Sequence, residues 1–562
     1  MTGSAQLRAT YRLQLTPTFG FAAAARLVPY LRDLGVSHLY LSPSMQARPG
    51  SQHGYDVLDP GRLSDDLGGS HEFRALADEV HQAGMGVVLD IVPNHMAADD
   101  ANRYWADPRL RERFFDIDAA TGEPRRFFDI SDLAGVRQED PEVFERTHEL
   151  VLALVGDGLV DGLRIDHPDG LADPAGYLAR LRERGVPRVW VEKILEPRER
   201  LRDWPVSGTV GYEFLNDACA LFVDPAGEAR MTALWERVSG DRRSFEQVAH
   251  DLKLEQVQTT FSPELERLER ELGPAGGGRG VDRDALARAL ASLPIYRTYV
   301  QPAQGLVAEA DRCAVDQAGM AAELAEMLLL EREAPAEFVT RFQQTTPPIM
   351  AKGVEDTAFY RYGRLLALNE VGGDPGRFSI AADDFHAACL ERAQRFPESL
   401  LTTQTHDTKR SGDVRARLTA LASLAGDWEQ VVQRLMELTE RHREDGAPDD
   451  VKRYFLLQTL VGAWPIELER VQEYMQKALR EAKRNTNWVQ QNAEWEEAVK
   501  RFVGELYRHS DFRSSLEEFV RELEFATIRA VQSGPVLLIQ QVVMVCWGTT
   551  ARCAYRRAGP GC

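Results

Sequence analysis

The chain alternates between short apolar runs and amphipathic stretches from its first residues onward. Residues 9–14 (ATYRLQ) and 38–42 (HLYLS) read as strands. Between them, residues 21–34 carry Leu27, Val28, Leu31 and Leu34 at helical spacing, with Gly35 as the stop. Ser70 stands where it can cap a helix around Phe73, Leu76 and Val80, which Gly84 closes before an apolar run at 86–95 (GVVLDIVPNH). A charged and aromatic excursion fills 97–157. The apolar run 162–165 (GLRI) follows, then a helix that opens on Asp173-Pro174 and continues through Tyr177, Leu178 and Leu181 to Gly185, then 189–193 (VWVEK). Strands and helices alternating over short links predict a parallel α/β sheet.

Four of the strand-like runs end in ionisable groups: Asp90, Asn94 and His95; Asp166 and His167; Glu192 and Lys193; and, in LLTTQTHD at 400–407, His406 and Asp407. One acid after a strand is most often a turn, but four such ends in order favour a closed barrel whose C-terminal mouth carries the chemistry. The expected fold is therefore α/β, a (β/α)8 TIM barrel with a large helical insertion and a further helical block. Residues 1–223 would form the first part of the barrel, and 224–341 a helical, charged insertion containing the GPAGGGRG loop. Barrel-like sequence returns over 342–413, a helical subdomain follows over 414–524, and 525–562 is an atypical tail.

The chain has 562 residues, enough for a large core, and a net charge of −20, which argues against nucleic acid and anionic membranes as partners and suits a neutral substrate such as a sugar. The first residues hold no apolar leader and no apolar run is long enough to span a bilayer, so a cytoplasmic protein is expected. Six cysteines without CxxC spacing predict neither a zinc site nor a disulfide framework. No GxGxxG follows a strand, and no HxH or HExxH stands near a strand end; these count against dinucleotide binding and a barrel metallohydrolase.

Two carboxyls facing a sugar from one barrel mouth suit retaining glycoside chemistry. Arg164 lies two residues before Asp166, on the same side of the strand, and can keep it ionised. Asp166 is thus the expected nucleophile and Glu192 the acid/base, with burial and the neighbouring charge keeping Glu192 protonated. Asp407 can hold sugar hydroxyls, and His95 and His406 can donate to the same ring. The loop at 42–60 adds His53, Tyr55 and Asp56, and an aromatic there is either a packing plug or a stacking platform. The full set of expected substrate contacts is His53, Tyr55, Asp90, Asn94, His95, Arg164, His167, Lys193 and His406, with no metal and no organic cofactor.

DIVPNH, GLRIDH, the VEK segment and the THD segment resemble, in chain order, the four conserved regions of the α-amylase superfamily, glycoside hydrolase family 13. The resemblance implies Asp166 as nucleophile, Glu192 as acid/base and Asp407 as transition-state stabiliser, with Tyr55, His95, Arg164 and His406 around the sugar next to the cleaved bond. Within the superfamily, TYRLQL, HGYDVLDP, RRFFDISDLAGVR, TPPIMAKGVEDTAFYRY, LNEVGGDP, THDTKRSGDVRARL and LQTLVGAWP are similar to the maltooligosyl trehalose synthase family over roughly residues 8–524. That similarity implies intramolecular transglycosylation of a maltooligosaccharide or α-1,4-glucan, with the reducing-end α-1,4 bond remade as α,α-1,1. Other readings are an α-glucan hydrolase of the same superfamily and an inactive glucan-binding relic. The insertion and the stretch 456–464 are expected to close the pocket against water, with Tyr360 in its wall.

The resemblance stops at 525. The 38 residues from there on hold no Asp or Glu, four Arg and half of all the cysteines. The family would continue into a last barrel strand and a C-terminal β domain, which the sequence does not show. A frameshifted or truncated, poorly soluble product is the expectation, with the apolar run 535–547 as a makeshift final strand.

Overall fold

The computed structural model describes residues 6–273 and 281–532, with side chains to 524. Eleven strands are named among these residues: β1 Thr10–Leu13, β2 His38–Leu41, β3 Met45–Ala47, β4 Val57–Leu63, β5 Gly86–Ile91, β6 His95–Ala97, β7 Arg126–Phe127, β8 Ile130–Gly135, β9 Gly162–Ile165, β10 Val189–Val191 and β11 Gly208–Thr209. Six of them form one sheet in the order β1-β2-β5-β9-β10-β11, every pair parallel. The excursion at 97–157 builds a small antiparallel sheet, β6-β8-β7, beside the ends of these strands.

Alternation along each parallel strand separates two environments. Leu39 and Leu41, Val87, Leu89 and Ile91, Leu163 and Ile165, and Val189 and Val191 face outward into one apolar core shared with the surrounding helices. Tyr40, Val88 and Trp190 face inward into a smaller cluster with Leu7 and Leu400. Asp90 and Arg164 share this inward parity and are paired across β5 and β9. The charged pair is buried because the strands that carry it are buried on both faces.

The expected barrel is present as these six strands; among the described residues no ladder closes β11 onto β1. Residues 400–407, expected as a strand, run beside β11 with a single backbone bond, Leu400 N to Thr209 O (3.1 Å). Threonine side chains take over the backbone groups there: Thr402 Oγ1 both accepts from Gln404 N and donates to its carbonyl, and Thr405 Oγ1 accepts from Asp407 N. Such local bonds compete with a ladder.

Three other expectations change. The helix at 21–34 is two, Phe21–Ala25 and Val28–Asp33, because Pro29 cannot donate to the turn before it. Ser70 is not a cap; the helix Gly69–Gln82 starts from left-handed Gly68 without a side-chain bond. The stretch containing PPIMAKGVEDTAFYRY is a continuous helix, Ala336–Met350, then a π-helical segment Ala351–Ala358, then Phe359–Arg361. Pro347 and Pro348 remove donors just upstream, and π segments concentrate at functional sites.

Between Tyr212 and Arg361 every described element is helical, and helices follow again from Ala382 to Gln532. The helix Asp450–Ala463, expected to wall the pocket, is buried along its whole length in the helical core, where Tyr360 also packs, 3% exposed and 6.0 Å from the Phe455 ring. Tyr360→Ala is therefore expected to cost on the order of 3 kcal/mol of stability, read by denaturant melting, while the enzyme that folds keeps its product ratio. The helix Ser510–Gln532 runs through residue 525, where composition changes; the expectations for 533–562 lie outside the described residues. Among the described residues no helix is long and apolar enough to cross a membrane.

Candidate active site

Arg164 is the hub of the barrel mouth. Its Nη1 donates to Asp90 Oδ1 (2.8 Å) and to Asp166 Oδ1 (2.7 Å), and its Nη2 lies 2.7 Å from Glu192 Oε1. One planar guanidinium thus holds three carboxylates from three adjacent strands, a task its fixed fork suits better than a lysine would. Glu192 Oε2 accepts from the backbone N of His167 (3.1 Å), so the acid is tied to the residue next to Asp166.

Burial raises Asp166 to about 6 against the pull of Arg164, with Asp90 adding to the rise. Burial also lifts Glu192 well above the ordinary carboxylate range; Arg164 opposes this, and the charges of Asp166 and Asp407 reinforce it. Asp407 goes the other way: burial would raise it, but the hydrogen bond and field of His406 outweigh that and leave it below its usual range. Both carboxyls are driven upward, Glu192 further than Asp166, and that is the order an acid and a nucleophile require.

Tyr55 joins the remaining expected groups. Its hydroxyl donates to Asp90 Oδ2 (2.8 Å) and meets His406 Nε2 at 2.7 Å, and the same nitrogen stands 3.0 Å from Asp407 Oδ2. The Tyr55 and His406 rings lie parallel with centroids 5.7 Å apart. The loop reaches this position because Gly54, at φ +80°, passes so close to the Pro43 carbonyl that a Cβ would sit 2.5 Å from its oxygen. His95 Nε2 donates to the Tyr55 carbonyl (3.2 Å), and burial lowers this imidazole to about 3, so it stays neutral with Nδ1 unpartnered.

Several expected contacts sit elsewhere. Lys193 is 1% exposed and paired with Glu199 (3.1 Å) and Asp169 (3.4 Å). Asn94 is buried under Gly170, accepting from Arg125 Nη2 (3.2 Å), and braces the loop after Asp166. His53 is at the rim with a side chain 56% exposed. His167 adopts a left-handed backbone (φ 41°), and its ring is lowered to about 4 by burial beneath Phe127 and Phe128.

The structure also adds groups to the site. A cavity of about 320 Å³ opens over Arg164, lined among others by Arg12, Gln14, Tyr40, Tyr212 and His406. Arg12 donates to the Tyr55 hydroxyl (3.3 Å), Tyr40 to Asp90 Oδ2 (3.4 Å), and Tyr212 shares a bond with Thr405 (2.9 Å). Lys409, two residues after Asp407, donates to Asp356 of the π-helical segment (2.7 Å). The signal for Arg12 and Tyr40 lies in the runs themselves: Tyr40 stands between Leu39 and Leu41, and Arg12 between Tyr11 and Leu13. Among the described residues no group of three His, Cys, Asp or Glu could hold a metal ion.

The model of the α-amylase catalytic domain family matches residues 24–107. A putative maltooligosyl trehalose synthase of Mycobacterium tuberculosis is 36% identical over 583 residues, spanning 87% of this chain and 74% of that protein. Among solved structures, maltooligosyltrehalose synthase from Arthrobacter ramosus superposes with a TM-score of 0.85 at 36% identity, covering 96% of this chain and 80% of its own. The Sulfolobus tokodaii hypothetical maltooligosyl trehalose synthase gives 0.82 at 31% identity, covering 93% and 79%. The likeness does not stop at the barrel and its carboxylates but runs on through the helices that enclose them, and on that extent the chain belongs to the maltooligosyl trehalose synthase family of the α-amylase superfamily.

Proposed function

We propose that this protein converts the reducing-end α-1,4 bond of a maltooligosaccharide to an α,α-1,1 bond by two displacements at one carbon, with Asp166 and Glu192 as the reacting pair. The observation that supports the assignment of roles is the Arg164 bridge, in which one guanidinium nitrogen meets Asp166 and the other Glu192, with burial lifting Glu192 further than Asp166.

In the first step an Asp166 oxygen attacks the anomeric carbon of the penultimate glucosyl unit. The bond to the terminal glucose breaks, and Glu192 gives its proton to the leaving oxygen. The terminal glucose stays and turns. In the second step its anomeric hydroxyl attacks the same carbon, the ester to Asp166 breaks, and Glu192 takes back the proton. Asp407 and its His406 partner stabilise the positive charge that develops on the sugar between these states, and Tyr55 offers a ring face to that sugar. Water must be excluded while the glucose turns, or the intermediate hydrolyses. The scheme uses no metal and no organic cofactor.

The test is incubation with maltopentaose, following reducing ends against free glucose across pH. Loss of reducing ends without matching glucose is the expected result; glucose and maltotetraose in equal amounts would replace this reading with a hydrolase, and unaltered maltopentaose with a binding relic. On the acid side, kcat/KM is expected to fall below about pH 6, because Asp166 must be ionised to attack. On the alkaline side it should fall as Glu192 loses its proton. A rate still rising toward pH 4 would remove Asp166 from the nucleophile's role.

A further inference from the structure

The hairpin β7–β8 turns through two residues, Phe128 and Asp129, since Phe127 pairs with Ile130. Phe128 stands there at φ +52°. The first position of a two-residue hairpin turn with φ above zero is where glycine is favoured, and a bulky aromatic is an outlier. Such a conformation persists where the surroundings enforce it, and most often where the side chain has a task.

The ring is not there for core packing. Phe127 packs on the cluster of Leu58, Ala97 and Leu133, whereas Phe128 joins none of the apolar clusters among the described residues. Its neighbours come from the segments that border the site: the Phe127 ring at 4.3 Å, stacked; the ring of His167, the residue after Asp166, at 5.0 Å, edge to face; and Lys352 Nζ, 5.8 Å from the centroid. His167 is itself left-handed and follows Asp166 directly, so two enforced backbones aim their rings at each other beside the nucleophile. The tip is anchored from the far side as well. Lys352 lies 3.1 Å from Asp129 and 3.3 Å from Asp356, and Asp356 holds Lys409. Phe128 thus bridges the strand-built wall of the site and the π-helical segment that faces it.

We propose that Phe128 is the specificity-determining residue for isomerisation over hydrolysis: its ring is the surface against which the displaced glucose turns, and it fills the space through which water would reach the intermediate. The inference rests on the double-displacement reading above. The second step has two competing nucleophiles, the anomeric hydroxyl of the retained glucose and a water molecule. Either forms a bond to the same carbon, breaks the ester to Asp166 and passes its proton to Glu192. An aromatic face favours the first by stacking on the sugar and opposes the second by excluding solvent.

Phe128→Gly and Phe128→Tyr, assayed with maltopentaose in the full-length protein, decide the matter. Phe128→Gly removes the ring and relieves the turn, so it should melt no lower than the parent while the hydrolysed fraction of turnovers rises at least five-fold. Phe128→Tyr, which keeps the ring, should retain the parental fraction. Phe128→Leu serves as the second ring-free variant should the glycine variant fail to fold, and it too should be hydrolytic. A parental fraction in a folded ring-free variant overturns the inference, as does a tyrosine variant as hydrolytic as the ring-free ones. A parent that itself yields only glucose and shortened reducing chains overturns the proposed function, and the inference with it.

Discussion

Asp166→Asn should lose activity by roughly four orders of magnitude or more, the scale on which removing a nucleophile falls elsewhere, while the protein folds as before. The amide oxygen can still accept from Arg164 Nη1, so the bridge survives, but no ester can form. The variant should also melt at or above the parent at pH 7. Folding raises the Asp166 pKa to about 6, so the folded state holds that proton more tightly than the unfolded chain. The stability from this group is fully present below its unfolded value and is lost as pH rises through about 6; an asparagine never pays that cost. Glu192→Gln should fall by about 10²- to 10⁴-fold with maltooligosaccharides, the usual share of a general acid. With a glycosyl fluoride, whose leaving group needs no proton, its first step should recover while that of Asp166→Asn does not. Equal recovery in both variants, or near-parental turnover in either, would mean the roles are assigned to the wrong residues.

What the sequence could disclose about this site follows from strand geometry. The parallel strands are buried on both faces, so they appear as apolar runs, and the acids that end them stand out: Asp90, Asp166 and Glu192 were all legible, as was Arg164 from its two-residue offset. Lys193 follows Glu192 past the end of its strand, and its ammonium is taken up by Glu199 and Asp169. Asp407 was found by its motif although its segment forms no ladder, because the threonines that satisfy the local backbone give no apolar signature. The contribution of Phe128 lies in a backbone angle, and composition cannot show a phenylalanine standing where a glycine is favoured. The misplacement of Tyr360 has a similar origin: an aromatic in a stretch similar to the synthase family reads as a wall, and only the path of the helix through the core turns it inward.

Arg164→Lys should fold, yet lose activity at neutral pH by at least about a hundred-fold, and its acid limb should move to higher pH than the parent's. A lysine supplies one point charge and cannot span Asp166 and Glu192 as Nη1 and Nη2 do. Since the field of Arg164 is what opposes the burial-driven rise of Asp166, weakening it lifts the nucleophile's pKa further above about 6, and more of the enzyme is protonated at any given pH. Arg164→Met is the stronger case. It leaves Asp90, Asp166 and Glu192 buried without their cation, and removing one partner of such a network typically costs about 3–5 kcal/mol. The deficit has a sign. Without the cation, burial would lift Asp166 and Glu192 further, so the folded state would bind protons that the unfolded chain releases; the loss should be largest near pH 8 and shrink toward pH 4, where the unfolded chain has begun to bind the same protons. Melting curves at those two pH values, with the kcat/KM profile of Arg164→Lys, provide the check. A methionine variant equally destabilised at both, or a lysine variant whose acid limb coincides with the parent's, would show that Arg164 does not set the protonation order on which the two displacements depend.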